Sequence, residues 1–178
     1  FYNPLVRKLR AMPKPVICAV NGVAAGAGAN IALACDIVIA ARSAKFIQAF
    51  SKIGLIPDGG GTYWLTRLVG EARAKALALT AHPLTAADAA AWGLIWRAVD
   101  DDQLMAEATT LAEGFAAGPT HAYALTKQAI HAASTNSLDA QLDLERQLQR
   151  EAGRSDDYKE GVSAFLEKRP PNYRRKAG

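Results

Sequence analysis

The feature that most constrains this chain is a small-residue segment set between two apolar runs near its start. Val16-Ile17-Cys18-Ala19-Val20, led in by Pro13 and Pro15, reads as a buried strand. Asn21-Gly22 closes it with a turn signal. Ala24 to Ala34, built almost wholly of small residues, is helix-prone after its glycines. Asp36-Ile37-Val38-Ile39-Ala40 is a second buried strand. Strand, helix, strand in that order is a crossover, and crossovers join parallel strands. The fold class is therefore α/β.

Beyond the crossover, Phe46 to Gly61 reads as irregular and ends in Pro57-Asp58-Gly59-Gly60-Gly61. Helices are expected from about 62 to 69 and from 71 to 80. Thr85 can cap a short helix over 86–91, and Ile95 to Val99 is the last expected strand. From Asp100 onward the pattern turns helical. Leu104, Ala108, Leu111 and Phe115 recur at helical spacing. Gly118-Pro119 is a break, and Ser137 and Ser155 are placed to cap two further helices. In the last of these, Asp156 and Asp157 fall in the first turn and Lys168 and Arg169 in the last, as a helix dipole favours. Tyr158, Val162, Phe165 and Leu166 share one face. Residues 1–99 form the α/β part and 100–178 a helical part, with no sequence repeat between them.

The chain of 178 residues carries 21 basic and 17 acidic side chains, a net charge of +4. The excess lies at the ends: Arg7, Lys8, Arg10 and Lys14 at one, Arg169, Arg174, Arg175 and Lys176 at the other. Without these eight, 13 basic residues face 17 acidic ones. A mildly acidic body with basic ends does not describe a nucleic-acid stripe, so no nucleic-acid partner is expected. No apolar run is long enough to span a membrane and no signal peptide opens the sequence. Cys18 and Cys35 have no CxxC partner and read as small buried hydrophobes in a reducing cytoplasm. His82, His121 and His131 are too far apart for a local metal motif, and no metal is expected.

Several familiar sites are absent. Gly26-Ala27-Gly28 lacks the third glycine of a dinucleotide fingerprint, because Ile31 stands there. No phosphate loop and no GxSxG elbow occur. Two glycine-rich turns remain. The first, Asn21 to Gly28, can present backbone N–H groups to an anion or a developing oxyanion, or can simply allow tight helix–sheet packing. The second, Ile56 to Thr62, holds Asp58 just before a helix. That aspartate is either an N-cap or a general acid/base behind a rigid Pro57, with Ile53, Leu55 and Ile56 keeping water away.

Four segments together resemble one family. Lys14 to Gly28, Cys35-Asp36-Ile37-Val38-Ile39-Ala40-Ala41, Gly54-Leu55-Ile56-Pro57-Asp58-Gly59-Gly60-Gly61-Thr62 and Glu160 to Arg169 resemble, in order and spacing, the signatures of the enoyl-CoA hydratase/isomerase (crotonase) family. The resemblance covers Lys14 to Arg169. It implies a crotonase-like fold of stacked ββα turns, of which this chain holds the C-terminal portion, followed by a helical C-terminal trimerisation region. It implies a homotrimer or dimer of trimers, a coenzyme A thioester as substrate and no further cofactor. Family members stabilise a thioester enolate with two backbone N–H groups. One maps to Ala27, flanked by Ala25 and Gly26. The other belongs to an earlier strand–loop, so the chain is expected to be a fragment of a longer enzyme, inactive alone.

The departures narrow the expected chemistry. The positions of the two water-activating glutamates of family hydratases hold Asn30 and Phe50, which cannot act as carboxylate bases. Asp58, between Pro57 and Gly59, matches the position where several family isomerases carry an aspartate. From Ala19 to Thr62 the chain most resembles the branch that isomerises the ring epoxide of phenylacetyl-CoA in phenylacetate catabolism. That branch is also associated with moving double bonds in fatty-acid metabolism. The expectation is an acyl-CoA isomerase with Asp58 as single acid/base, Asn30 orienting substrate and Phe50 walling the site. Phe165 and Lys168 match a C-terminal helix that covers an acyl-CoA site, often of a neighbouring subunit, though core packing for Phe165 and a dipole-matched surface position for Lys168 are the plainer readings. The rival readings are an enoyl-CoA hydratase or other enolate-using enzyme, and a non-catalytic RNA- or protein-binding homologue.

Overall fold

Ile17–Val20 (β1) and Ile37–Ala41 (β3) pair in parallel, as a crossover requires, with Ile17 opposite Ile37 and Val20 opposite Ala40. This computed structural model describes residues 2–173, so Arg174, Arg175 and Lys176 of the expected basic tail lie outside the described residues. The backbone of Val16 ties the two strands together at their start. Its N–H donates to Asp36 Oδ2 at 2.8 Å and its carbonyl accepts from the N–H groups of Asp36 and Ile37. Arg97–Val99 (β6) extends the sheet on the far side of β3, again parallel.

Three short strands are additional to those expected. Val23–Ala25 (β2) follows β1 after a two-residue turn, and Lys45–Ile47 (β4) follows β3 after a short bend. They pair in parallel with each other, Val23 opposite Lys45 and Ala25 opposite Ile47. Leu84–Thr85 (β5) adds an antiparallel edge to β4. Each unit is thus strand, strand, helix, and the second stacks in register on the first. The repeat lies in the backbone rather than in the residues.

Asn3–Ala11 forms a helix, α1, where the sequence shows only a basic end. Burial pushes its Arg10 guanidinium below the ordinary value, against Asp36 and Tyr63, and the group lies 4.8 Å over the Trp64 ring. Ala27–Leu33 (α2) completes the first unit and buries Ala29, Ala32 and Leu33. Gly61–Thr80 (α3) is interrupted at Gly70, whose φ of 78° and ψ of 165° split it where the sequence divides it. Ala86–Ala91 (α4) starts at Thr85, whose side chain accepts from the Asp88 N–H. Cys18 and Cys35 are half-buried rather than buried. A hydrogen bond from Cys35 holds the Cys18 thiol below its usual pKa, against the upward push of burial.

The remaining helices are Leu104–Ala117 (α5), Thr120–Ala133 (α6), Leu138–Ala152 (α7) and Asp156–Leu166 (α8). Ser137 and Ser155 cap α7 and α8 through the Ala140 and Tyr158 N–H groups. The chain divides into two compact units inside α5, between Thr110 and Leu111, rather than at residue 100, and Met12–Pro15 go with the second. In the second unit, buried Glu160 holds the segment after α8. Its carboxylate accepts from Arg169 Nη1 and from the Asn172 N–H, both at 2.7 Å.

Candidate active site

The first glycine-rich turn joins β2 to α2. Gly26 caps the helix with φ 53° and ψ −123°, a conformation that glycine adopts without strain. Its N–H donates to Ile47 O at 2.8 Å, which anchors the turn on β4. No side chain caps α2, and the first intrahelical bond runs from the Asn30 N–H to Gly26 O. The N–H groups of the first turn, Ala27 among them, therefore lack helical partners. Ala27 and Gly26 are half-buried and Ala25 is exposed.

Phe50 lies in a 3-10 turn, Ala49–Ile53, and is buried against this first turn. A Cβ added at Gly26 would stand 3.5 Å from its ring. An apolar ring thus backs the turn.

The second turn ends differently from the capping reading of Asp58. The residue that caps α3 is Gly60, at φ 85°, with no side-chain cap. Asp58 is exposed, and its carboxylate makes no hydrogen bond or ion pair among the described residues. Its backbone does the structural work, since the Asp58 carbonyl accepts from the Gly61 N–H at 2.8 Å. Trp64 Nε1 donates to Gly59 O at 3.3 Å, and Gly59 is buried beside a half-buried Pro57. The Asp58 side chain is thus exposed on a loop that is fixed through its backbone.

The expected substrate contact of Asn30 does not match its surroundings. Asn30 is fully buried and its amide is spent on the protein. Nδ2 donates to Asp58 O at 2.8 Å and Oδ1 accepts from Gln48 Nε2 at 2.9 Å. With its own N–H on Gly26 O, Asn30 joins the two turns. Gln48 and Gly61 are the residues that sequence reasoning missed. Gln48 is buried with Oε1 unpaired, and Gly61 leaves room for the Asn30 amide, since a Cβ there would lie 2.7 Å from Asn30 Cγ. The coincidence of Asn30 with a third glycine after Asp58 is the signal that could have found this contact.

Ile53, Leu55 and Ile56, expected to exclude water, are instead 73%, 59% and 81% exposed. They form an apolar surface leading to Asp58. In the second unit, Phe165 is 83% exposed, so it is not a core residue of this chain. Lys168 lies beyond the end of α8 rather than in its last turn. It adopts φ 54°, while the Lys168 and Arg169 N–H groups return to Phe165 O and Ala164 O. That is a Schellman stop with lysine in the position glycine favours. Among the described residues no three His, Cys, Asp or Glu side chains converge to hold a metal ion, and no helix is long and apolar enough to cross a membrane.

The sequence model of one family, described as enoyl-CoA hydratase/isomerase, matches residues 2–176. The 1,2-epoxyphenylacetyl-CoA isomerase of Escherichia coli K12 is 64% identical over 173 residues, covering 97% of this chain and 66% of that protein. A probable enoyl-CoA hydratase of Rhodobacter capsulatus is 55% identical, covering 97% and 67%. The crystal structure of an enoyl-CoA hydratase from Polaromonas sp. JS666 superposes with a TM-score of 0.93 at 38% identity, covering 97% of this chain and 67% of that one. The chain therefore spans about two thirds of the length of the relatives it matches.

Proposed function

Because the chain belongs to the enoyl-CoA hydratase/isomerase family, we propose that it carries the acid/base half of an acyl-CoA isomerase. The substrates are a ring epoxide of phenylacetyl-CoA, unsaturated acyl-CoAs, or both. The observation that carries this reading is the Asp58 carboxylate, without a partner among the described residues, on a loop whose own carbonyl is held by Asn30.

In this reading the thioester oxygen lies at the Ala27 N–H, in the first turn of α2, where backbone N–H groups have no helical partner and the helix dipole is positive. Charge building on that oxygen makes a neighbouring C–H acidic. Asp58 takes the proton as that bond breaks, and the electron pair spreads into the thioester enolate. The same carboxyl returns the proton at another carbon, so nothing is consumed. Phe50 and Asn30 leave no carboxylate to hold a water, which favours isomerisation over hydration. A bound acyl group would cover Ile53, Leu55 and Ile56, and exposed Phe165 and Lys168 suit contact with an acyl-CoA. A cytoplasmic homotrimer or dimer of trimers, without nucleic acid or metal, completes the reading.

The test uses the full-length protein carrying this chain, given 2-enoyl- and 3-enoyl-CoA of equal length. The reading expects interconversion of the two, with little 3-hydroxyacyl product. Efficient formation of the 3-hydroxyacyl-CoA would favour the hydratase instead.

A further inference from the structure

The hold on the Asp58 loop runs deeper than Asn30. Both lone pairs of the Asp58 carbonyl are taken, one by the Gly61 N–H and one by Asn30 Nδ2, each at 2.8 Å. The next carbonyl, of Gly59, accepts from Trp64 Nε1 at 3.3 Å. Side chains from α2 and α3 thus pin the two peptide groups that follow the Asp58 Cα. The direction of the amides is forced from this end. A carbonyl oxygen only accepts, so Asn30 turns Nδ2 toward Asp58 and Oδ1 toward Gln48. Oδ1 only accepts in turn, so Gln48 must offer Nε2, which donates at 2.9 Å. The Gln48 oxygen is left over. It has no hydrogen-bond partner among the described residues, although Gln48 is only 4% exposed.

A buried acceptor without a partner is destabilising. A residue that only filled this space would be apolar, as buried Phe46 and Phe50 are on either side of it in sequence. What the glutamine supplies is its Nε2 at Asn30. Its place in the chain gives that bond a second meaning. Gln48 follows Ile47, the last residue of β4, and the Ile47 carbonyl accepts from the Gly26 N–H at 2.8 Å. Two consecutive residues at the end of β4 therefore hold both turns of the site. Ile47 anchors the turn that carries Ala27, and Gln48, through Asn30, anchors the turn that carries Asp58.

We propose that Gln48 is a positioning residue of the isomerisation: from the end of β4 it sets, through Asn30, where Asp58 stands relative to the Ala27 N–H. It touches no substrate itself, and the proposal rests on the reading of Asp58 as the acid/base. A carboxylate that takes a proton at one carbon and returns it at another must stay within reach of both. A misplaced Asp58 is therefore felt in the chemical step and little in binding.

The test uses the full-length protein carrying this chain, with a 3-enoyl-CoA as substrate. Gln48→Met keeps the length of the side chain and removes both the donor and the unpaired oxygen; Gln48→Leu is a second apolar variant. In folded protein, kcat is expected to fall by about ten- to a hundredfold, with KM nearly unchanged. Because Gln48 acts through Asn30, Gln48→Met should cost no further kcat in an Asn30→Ala background. The Trp64 indole N–H resonance, assigned with Trp64→Phe, reports the Gly59 carbonyl and should shift in Gln48→Met. Asp58→Asn, measured in parallel, separates this inference from the reading beneath it. Near-parental turnover by Asp58→Asn would sink the acid/base reading and this inference with it. An inactive Asp58→Asn beside parental kcat in Gln48→Met would overturn the positioning role alone. So would a kcat loss that adds to that of Asn30→Ala, that leaves the Trp64 resonance unmoved, or that only follows the loss of folded protein.

Discussion

Replacing Gly61 with alanine should damage the site through Asn30. The new methyl would stand 2.7 Å from Asn30 Cγ and 2.8 Å from its Oδ1, closer than real Cβ contacts allow. Asn30 has no free space to yield into, being fully buried and held at both ends of its amide. Overpacking of this kind costs about 1–3 kcal/mol. If the amide swings away, the bonds to Asp58 O and Gln48 break, at about 0.5–1.5 kcal/mol each, and the buried Gln48 amide is stranded. Together the loss is about 2–4 kcal/mol, or roughly 5–15 °C in thermal midpoint for a chain of this size. The informative comparison is a double-mutant cycle. Asn30→Ala alone removes the same two bonds and opens the space that the added methyl needs. Gly61→Ala should therefore cost little in the Asn30→Ala background, giving a coupling near the full single-mutant loss. Calorimetry of the four proteins measures it. Additive losses would refute the claim that Gly61 is small for the sake of Asn30.

Two further outcomes follow from the ends of the elements. Lys168→Gly should raise the thermal midpoint by a few degrees, because glycine suits the left-handed stop after α8, while weakening acyl-CoA binding in a titration; unchanged affinity would reduce Lys168 to a surface residue. The Asp101 carboxylate accepts from the Ser43 N–H at 3.0 Å and is held below the ordinary aspartate value of 3.8 by its hydrogen bonds to Ser43. A depressed folded-state pKa contributes stability that is present above the ordinary value and lost as pH falls through the folded one. The deficit of Asp101→Asn in thermal midpoint should thus be constant near neutrality and close below about pH 3.8; a deficit that widens on acidification would contradict it.

The crossover of β1 and β3 is legible in the sequence because two apolar runs flank a segment with its own helical character. The stops at Gly70 and Gly118 and the caps at Thr85, Ser137 and Ser155 are legible because each acts on its own neighbours. Strands β2 and β4 are not, since Val23–Ala25 and Lys45–Ile47 are three residues each and gain their bonds only when one ββα unit stacks on the next. The site divides in the same way. The two turns that carry Asp58 and Ala27 can be located by matching local motifs. The link between their turns runs from Asn30 to a residue 28 positions away, and Gln48 reaches Asn30 across 18. Side-chain contacts at such separations leave no periodic trace. Motif matching accordingly assigns Asn30 to the substrate, whereas its amide is a bracket between two loops.

The central claim is that the Asp58 carboxyl moves the proton. It is tested most directly in deuterated water with the full-length protein carrying this chain, comparing the parent with Asp58→Asn on a 3-enoyl-CoA. Asparagine keeps the size of the side chain and removes its capacity to accept a proton. The account predicts that the parent forms the 2-enoyl isomer with deuterium entering from solvent. It predicts that Asp58→Asn binds the thioester with nearly unchanged affinity, yet neither isomerises it nor exchanges its protons. Near-parental isomerisation or exchange by Asp58→Asn would contradict it.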